Sequence, residues 1–453
     1  MQTDLLIVGA GPAGYDAALQ AAKRGIGTVL VEKEHLGGSC LNFGCIPTKF
    51  LLAAAAPKAD LEGLEKMKTG SGQVLLDLAA LVARKERYLE ATRKAQAAEL
   101  QKLGVTLARG RLRAVGMGEA VIDVEGEATG IVYRRCILAT GSLPANRPGL
   151  IADHEIILNS GDILSLKEIP AHLLVVGAGF IGMELAQFFS RAGSKITLFE
   201  VADRIAPTED EEISKALAQS FKRMGWDIHT SAKISELKAE DGQAKLTLEG
   251  GREFVGDKCL LAAGRVPCSA GIGLEQTGAE VKGAGWVTTD EHLMAAPTLY
   301  AVGDVNGRTM LAHAASHQGE WAVRHFAGKE MGAYAPGPVP GCMYGAPETM
   351  RVGVMEAEAR AKGMDVSVSR AQLVANPIAQ AHGATSGLVK CVWSEGKLLG
   401  VTAAGHGVAS LATLACVLVG QGWTKKQCEG IIFPHPTLDE ALKTALMAGS
   451  QER

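Results

Sequence analysis

Two stretches of the chain place an unbroken apolar run before a glycine-rich turn and a helical pattern. The first, DLLIVGAGPAG, contains Gly9, Gly11 and Gly14 and leads into the alanine-rich YDAALQAAKRG. An apolar run of this length is typical of a strand buried on both faces of a parallel sheet. A second buried strand, GTVLVEK, contains Glu32, which lies 23 residues after Gly9. The pattern predicts a strand, a tight turn, a helix and a second strand.

The same order of elements recurs in the middle of the chain. HLLVVGAGFIG carries Gly177, Gly179 and Gly182, and a helix is predicted from Met183 to about Ala192. The next strand, KITLFE, ends in Glu200, again 23 residues after the first glycine.

Each part of this repeated pattern has a physical task in binding a dinucleotide. The glycines allow a tight turn and close backbone approach to a pyrophosphate, and the helix N-terminus supplies amide donors. The acid that ends the second strand can hold ribose hydroxyls. Two such units predict two dinucleotides, one a flavin and the other a nicotinamide. Glu200 would repel a 2′-phosphate and favours NAD, although the nearby Arg204 keeps NADP open as an alternative.

The remaining pattern suggests further boundaries. A charged helical stretch from about Leu75 to Leu103 is expected to pack on the first nucleotide unit. RCILATGSLP and KCLLAAGRVP resemble each other, and each is interpreted as the exit from a nucleotide domain. The proline-rich YAPGPVPG precedes a last segment that mixes strand-like and helical patterns.

Composition narrows the class of protein. A chain of 453 residues is too long for one core, and 47% apolar with 21% charged residues indicates folded domains. The formal charge of −3 argues against nucleic acid as the main partner. Nine cysteines without dense, regular spacing suggest reduced thiols. No apolar run reaches the roughly 18 residues of a membrane span. The N-terminus lacks a cationic leader, so a cytoplasmic protein without a membrane segment is expected.

One pair of cysteines stands apart, in the stretch GGSCLNFGCIPTK. Cys40 and Cys45 lack the second ligand pair that a zinc site needs, so no metal is predicted. A structural disulfide would close a very small loop and stabilise little, while two ordinary buried thiols remain the default. Gly44 and Pro47 would let the first helical turn deviate from ideal geometry. A strained pair at a helix start favours a labile disulfide used for exchange.

This stretch resembles the redox-active disulfide motif of the flavin disulfide reductases, the class I pyridine nucleotide-disulfide oxidoreductases. YAVGDV and MLAHAASHQG resemble the family's flavin-binding segment, AAGRVP the end of its nicotinamide domain, and FPHPTLDEAL its acid–base motif. The resemblance covers essentially the whole chain and is greatest to the dihydrolipoamide dehydrogenases. It implies an α/β fold with two Rossmann-type FAD/NAD(P)-binding domains and a C-terminal α+β dimerisation domain. The implied ranges are 1–146 completed by 269–338 for FAD, 147–268 for NAD, and 339–453 for the interface.

The resemblance also implies roles for single residues. Cys40 would meet substrate, and Cys45 would lie beside the flavin. Lys49 would lie near the flavin's reactive nitrogen and pair with Glu184. His435 would be the acid–base residue oriented by Glu440, and this pair would serve the disulfide of the other subunit in a homodimer. The implied catalytic residues are Cys40, Cys45, Lys49, Glu184, His435 and Glu440. The implied FAD and NAD contacts are Gly9, Gly11, Gly14, Glu32, Lys49, Leu112, Thr140, Gly141, Asp304, Ala312, Gly177, Gly179, Ile181, Gly182, Glu200 and Gly264.

The implied reaction is oxidation of protein-bound dihydrolipoyl groups with reduction of NAD⁺. Its partners would be lipoyl-bearing proteins of a 2-oxo acid dehydrogenase complex or of the glycine cleavage system. Many relatives carry a second histidine where this chain has Phe433, which puts the tuning of the interface in question.

Several competing functions stay open at this point. Glu200 argues against a glutathione-type reductase that uses NADPH. A mercuric reductase would carry extra cysteines near the C-terminus, and MAGSQER has none. A transhydrogenase of this fold would lack the cysteine pair, and a non-catalytic flavoprotein would have lost part of the catalytic set.

Overall fold

The computed structural model describes residues 1–449 and 451–452, and the chain divides into two units. The first unit consists of three segments, namely Met1–Pro47, Val82–Ala145 and Gly264–Ala335. The second also consists of three segments, which are Thr48–Leu81, Asn146–Ala263 and Pro336–Arg453.

The first unit is built on an eight-stranded sheet. Five of its strands run parallel, with Gln2–Val8 at the centre, as the buried apolar run predicts. In spatial order these strands are Leu299–Ala301, Glu127–Leu138, Gln2–Val8, Thr28–Glu32 and Thr106–Arg109. Antiparallel additions are Met294–Ala296, Arg111–Val115 and Glu119–Val124. Short pairs join Ser142–Pro144 to Arg265–Pro267 and Val281–Lys282 to Trp286–Val287.

Two helices of this unit pack unusually closely because their contact residues are small. The first helix, Pro12–Ala22, buries an alanine face, and it lies against the helix Ala312–Phe326. A Cβ atom at Gly319 would lie 2.1 Å from the Ala13 carbonyl oxygen. The predicted charged helix forms Leu78–Lys102, and a short helix forms Gly38–Asn42.

The second unit contains a five-stranded parallel sheet followed along the chain by smaller elements. Its strands, in spatial order, are Asp227–His229, Lys195–Phe199, His172–Val176, Lys258–Leu261 and Ile157–Leu158. The helices of this part are Phe180–Ala192 and Glu211–Arg223. An antiparallel three-stranded sheet comprises Ile234–Glu240, Gln243–Leu248 and Glu253–Gly256.

The C-terminal part of the second unit is an antiparallel six-stranded sheet with helices. Its strands, in spatial order, are Gly341–Met343, Glu348–Gly353, Lys397–Gly405, Leu388–Ser394, Ser367–Gln372 and Gln451–Glu452. Its helices are Glu356–Ala361, Pro377–Ala381, Ala412–Gly420, Lys425–Cys428 and Asp439–Met447. Phe433 is buried in the apolar core of this part, beside residues such as Leu442.

This architecture confirms the predicted fold class, with two Rossmann-type sheets and a C-terminal α+β part. The predicted domain boundaries stay predictions.

The helices of the described residues bear on the expected absence of a membrane span. Among the described residues, the helical stretch Gly38–Met67 is long and apolar enough to cross a membrane by length and composition alone. In its most apolar 18 residues, 33% are buried. A single such helix is weak evidence, since core helices pass the same test. Within this stretch the helix Cys45–Met67 carries Lys49, whose ammonium pairs with Glu184.

Candidate active site

The first glycine turn is defined by Gly9, Gly11 and Gly14, and at Gly9 and Gly14 the backbone leaves no room for a side chain. Gly9 has φ of +98°, and a Cβ there would lie 2.3 Å from the Ala139 carbonyl oxygen. A Cβ at Gly14 would lie 1.8 Å from the carbonyl oxygen of Gly9. These close approaches bring the helix N-terminus onto the strand end, where its amides can face a pyrophosphate.

Glu32, the acidic residue beside this first turn, is held by backbone N–H groups. Glu32 accepts a hydrogen bond from the Ala10 N–H through Oε2 at 2.7 Å, and from the Glu34 N–H through Oε1 at 2.9 Å. Its carboxylate is therefore fixed beside the turn, as a ribose-binding group requires.

The second glycine turn, defined by Gly177, Gly179 and Gly182, repeats this construction. A Cβ at Gly177, where φ is +103°, would lie 2.4 Å from the Ala262 carbonyl oxygen. A Cβ at Gly182 would lie 2.1 Å from the oxygen of Gly177.

Glu200 is fixed beside this second turn in the same way as Glu32 beside the first. Its Oε2 accepts from the Ala178 N–H at 2.8 Å, and its Oε1 accepts from the Ala202 N–H at 2.9 Å. Ile181 lies exposed in the first turn of the following helix.

Beyond the first turn, the residues predicted to contact the flavin offer unused polar groups. The Thr140 hydroxyl is buried and has no hydrogen-bond partner among the described residues. Gly141 has φ of +72°, and Ala312 opens the helix Ala312–Phe326, whose first amides have no partner within the helix. A buried orphan hydroxyl and a helix N-terminus both suit a ligand rich in oxygen atoms, so these residues fit FAD.

Asp304 lies in a small polar network that sequence reasoning did not predict. The Ser142 hydroxyl donates to Asp304 Oδ2 at 2.5 Å and accepts from Arg265 Nε at 2.7 Å. Ser142 follows Gly141, and Arg265 follows Gly264, in the two similar strand exits noted above. The strands that begin at these two residues pair with each other, so the sequence similarity was the available signal.

Two further predicted cofactor contacts are Leu112 and Gly264, and Gly264 directly precedes Arg265 of this network. Leu112 pairs with Ile122 and its side chain is buried in the apolar core of the sheet, so only its backbone can face a ligand. Gly264 has φ of +111° and accepts a hydrogen bond from the Ala145 N–H at 3.0 Å. Their roles stay predictions.

The cysteine segment, residues 37–49, bends sharply between its two thiols. Cys40 lies in the short helix Gly38–Asn42, Phe43 leaves helical geometry with φ of −135°, and Cys45 opens the next helix. A Cβ at Gly44 would lie 3.9 Å from the Cα atom of Cys40, so the chain folds back on itself here. Cys40 is half-buried and Cys45 is exposed. The predicted deviation from a regular helix is therefore a break between two helices.

The beginning of this segment packs directly on the first glycine turn. The Gly37 N–H donates to the Ala10 carbonyl at 2.8 Å. Gly38 has φ of +54°, and a Cβ there would lie 2.6 Å from the Cα atom of Gly11. Cys40 is thus placed close to the turn that is predicted to hold the flavin pyrophosphate.

Within the second unit, the structure brings together Lys49 and Glu184. The Lys49 Nζ atom lies 2.8 Å from Glu184 Oε2, and the Tyr344 N–H donates to Glu184 Oε1 at 2.8 Å. Burial raises the pKa of Glu184, and the ammonium of Lys49 opposes that shift.

The structure also brings together His435 and Glu440. His435 Nδ1 lies 3.1 Å from both carboxylate oxygens of Glu440, at the start of the helix Asp439–Met447. A hydrogen bond from the Thr437 N–H, together with His435, lowers the pKa of Glu440. The His435 side chain is 72% exposed, so its Nε2 side can meet a group from outside this chain. The geometry suits a base held in one tautomer by a carboxylate.

Comparison with known proteins places this geometry in a family. Residues 3–319 match the model of the pyridine nucleotide-disulphide oxidoreductases, and residues 339–446 match that family's dimerisation domain. The chain belongs to this family. Membership confirms the predicted class, a flavoprotein disulfide oxidoreductase that uses FAD and NAD and forms a homodimer.

Similar curated proteins span nearly the whole chain. A dihydrolipoyl dehydrogenase of Chlorobaculum tepidum is 36% identical over 452 residues, which cover 98% of this chain and 96% of the relative. A dihydrolipoyl dehydrogenase of Bacillus subtilis is 35% identical, with 98% of each chain covered. A leghemoglobin reductase of Vigna unguiculata is 33% identical and covers 99% of this chain and 87% of the relative.

Solved structures show the same fold. LpdA from Mycobacterium tuberculosis superposes with a TM-score of 0.89 at 26% identity, covering 98% of this chain and 99% of the other. RclA from Escherichia coli, an HOCl-induced flavoprotein disulfide reductase described as a Cu(II) complex, gives a TM-score of 0.89 at 25% identity with the same coverage.

Proposed function

We propose that this enzyme oxidises protein-bound dihydrolipoyl groups and passes the electrons to NAD⁺. The observation that carries the proposal is that one chain contains both a cysteine pair and a histidine held by a carboxylate. Cys40 and Cys45 lie in the segment whose Gly37 donates to the Ala10 carbonyl of the first glycine turn, and an exposed His435 is held by Glu440. The relatives named dihydrolipoyl dehydrogenase support the same substrate class.

The proton steps follow from the geometry of His435. Because Nδ1 faces Glu440, Nε2 is the nitrogen that takes a proton from a substrate thiol. The substrate thiolate attacks Cys40 in the Cys40–Cys45 disulfide, and Cys45 leaves as a thiolate. The second substrate thiol, once deprotonated, attacks the substrate sulfur of this mixed disulfide and releases Cys40. The products are one lipoyl disulfide and two reduced cysteines, so the electron pair now resides on the protein.

The ion pair of Lys49 and Glu184 suits the second half of the reaction, in which the electron pair passes from the protein to NAD⁺. When bound, FAD would supply the redox chemistry that links the reduced cysteines to hydride transfer onto NAD⁺. Lys49 is a cation held by the buried Glu184, and a fixed cation stabilises negative charge that develops in a water-poor site.

Glu200 and its surroundings support NAD over NADP. The carboxylate is buried on the backbone of the second glycine turn, where it would repel a 2′-phosphate. Arg204, the residue that left NADP open, donates through Nη2 to the Pro207 carbonyl at 3.0 Å. One of its donors is thus held by the backbone, and its Nη1 atom lies 3.9 Å from Asp203 Oδ1.

The test is an anaerobic absorbance titration of the holoenzyme with dihydrolipoamide, followed by NAD⁺. We expect a long-wavelength thiolate-to-flavin band and then the absorbance of NADH. Cys45→Ser should abolish this band, whereas Cys416→Ser, which changes a half-buried thiol elsewhere, should keep it. Reduction by NADPH with turnover of another disulfide, and none by dihydrolipoamide, would overturn the proposal in favour of a glutathione-type reductase.

The proposed partners are lipoyl-bearing proteins of a 2-oxo acid dehydrogenase complex or the glycine cleavage system, in the cytoplasm. Turnover with isolated lipoylated carrier proteins from each system would identify the partner, and a rate no higher than with free dihydrolipoamide would contradict carrier recognition.

A further inference from the structure

The lysine of the buried ion pair has a second neighbour that the family motifs do not assign. The Lys49 Nζ atom lies 4.5 Å from the centre of the Tyr344 ring, within the range of a cation–π contact. The same tyrosine donates its backbone N–H to Glu184. Tyr344 therefore contacts both members of the pair, one with its ring and the other with its backbone.

We propose that Tyr344 is a positioning residue that fixes the ammonium of Lys49 for the reaction through the face of its ring. The inference deepens the proposed function, on which it rests, by adding a residue to the same site. Tyr344 acts through Lys49 and touches no reacting atom in this role.

The need for a second anchor follows from the chemistry of lysine. The Lys49 side chain is 35% exposed, and its ammonium sits on a flexible four-carbon stem. A single carboxylate partner fixes the distance of the charge but leaves the direction of the stem free to vary. An aromatic face attracts the cation from a second direction and so restricts its position.

The backbone of the loop that carries Tyr344 is held in place by a buried glutamine. Gln187, which follows Glu184 by three residues on the same helix, is fully buried. Its Oε1 accepts from the Ala346 N–H at 2.9 Å, and its Nε2 donates to the Tyr344 carbonyl at 3.3 Å. Gly345, with φ of +124°, lets the backbone pass this close, since a Cβ there would lie 2.6 Å from Gln187 Oε1. The loop is therefore tied to the helix that presents Glu184.

The experiment compares Tyr344→Phe with Tyr344→Leu in the holoenzyme. Phenylalanine keeps the ring face, and leucine keeps much of the apolar volume without it. The primary measurement is the midpoint potential of the bound flavin, because a displaced cation stabilises reduced flavin less. We expect the leucine variant to lower the equilibrium constant for reduction by about two- to fivefold, the range of an exposed to half-buried cation–π contact. That range corresponds to a potential about 9–21 mV lower for a two-electron couple. The phenylalanine variant should match the wild type.

A double variant separates positioning from a structural effect. In a Lys49→Met background, adding Tyr344→Leu should change the potential no further, because the residue acts only through the lysine. Phe326→Leu is the matched control, since it removes a ring beneath Arg134 in the other unit and should leave the potential unchanged.

Three results would overturn the inference. They are an unchanged potential in Tyr344→Leu, an equal loss in Tyr344→Phe, and an additive loss in the Lys49→Met background. The measurement uses dithionite and reference dyes, so it needs no lipoyl substrate. Failure of the proposed substrate would appear instead as a wild-type enzyme that dihydrolipoamide does not reduce.

Discussion

The two glycine turns are built alike and differ in what covers them. In both turns, the chain comes back after the acidic residue. A backbone N–H there donates to the carbonyl oxygen of the residue that follows the first glycine. Gly37 does so to Ala10 at 2.8 Å, and Ala206 does so to Ala178 at 3.0 Å. Over the first turn, Gly38 then packs against Gly11, whereas a Cβ at Gly179 in the second turn would meet nothing within 4 Å.

This difference suits cofactors with different lifetimes on the protein. A turn covered by its own chain can retain a prosthetic group, while an open turn lets a substrate nucleotide come and go. The same nucleotide-binding unit therefore occurs once covered by its own chain and once open, and the variants below test whether this cover sets cofactor retention.

The covering segments also lead to different chemistry. The first continues into the cysteine pair. The second continues into Glu209 and Asp210, which are held by charged residues of the C-terminal sheet. Arg351 Nε lies 3.2 Å from Glu209, and Lys390 Nζ lies 2.8 Å from Asp210.

The largest effect should come from blocking one glycine turn at a time, which tests whether the two turns act independently. In Gly14→Ala and Gly182→Ala, the new Cβ would fall within about 2 Å of a backbone carbonyl oxygen, which cannot rotate aside. We expect Gly14→Ala to retain no flavin, and Gly182→Ala to retain flavin but lose NAD⁺ binding. Flavin content after gel filtration and the KM for NAD⁺ measure the two effects. Loss of flavin in Gly182→Ala would show that the turns are not independent.

The next largest effect concerns Lys390, whose ammonium holds Asp210 of the segment that follows the second turn. The Lys390 side chain is 3% exposed, and its ammonium also lies 2.9 Å from Glu212 and 2.6 Å from Glu356. Burial disfavours this charge, but the hydrogen bonds to Asp210, Glu356 and Glu212 outweigh burial and raise the pKa of Lys390.

Lys390→Met leaves these carboxylates without their cation and should lower the free energy of unfolding by about 3–5 kcal/mol. Denaturant unfolding measures the loss. Lys215→Met, which removes an exposed lysine paired with Glu211, is the control and should cost less than about 1 kcal/mol. Equal losses in the two variants would contradict the assignment of Lys390 as the anchor.

A pH dependence should follow from Glu209 in the same segment. Burial raises the pKa of Glu209 to about 7, with Arg351 opposing the shift and Asp210 and Glu358 adding to it. Between its unfolded value and pH 7, the folded state holds the extra proton, so stability should fall as the pH rises through this window. The fall attributable to this group is at most about 3 kcal/mol.

Glu209→Gln should remove this slope and should therefore be relatively more stable above pH 7. Thermal unfolding at a series of pH values compares the two proteins. Parallel pH profiles for variant and wild type would count against this role of Glu209.

The smallest effect sharpens the contrast between covered and open turns. Gly38→Ala must fit a Cβ at positive φ against Gly11 and should cost about 1–3 kcal/mol, with weaker flavin retention. Gly179→Ala, with φ of −78° and open space, should change stability by less than about 0.5 kcal/mol. Apoprotein unfolding and flavin dissociation rates check both. A cost for Gly179→Ala as large as that for Gly38→Ala would contradict the contrast.

Local features of the site could be predicted from the sequence, because short spacing and apolar pattern determine them. Both glycine turns, their acids and the contact of His435 with Glu440, five residues later, belong to this group. The pairing of Lys49 with Glu184, 135 residues apart, depended on the family resemblance.

The other contacts could not be predicted, since they depend on which distant segments the fold brings together. Tyr344 beside Lys49, Arg265 beside Ser142 and the charges around Lys390 are of this kind. Phe433 is a related case, since its surroundings also depend on the fold. Its burial in the C-terminal core explains an apolar residue there, while its predicted effect on the interface stays a prediction.

The interleaving of the two units has a consequence for synthesis on the ribosome. The central strand Gln2–Val8 pairs with Glu127–Leu138, which in turn pairs with Leu299–Ala301. The N-terminal sheet therefore cannot be completed until about two thirds of the polypeptide has emerged, a delay on the order of tens of seconds. During that time the edge of the growing sheet is open, so the nascent chain should depend on chaperones more than a protein whose domains follow one another along the sequence.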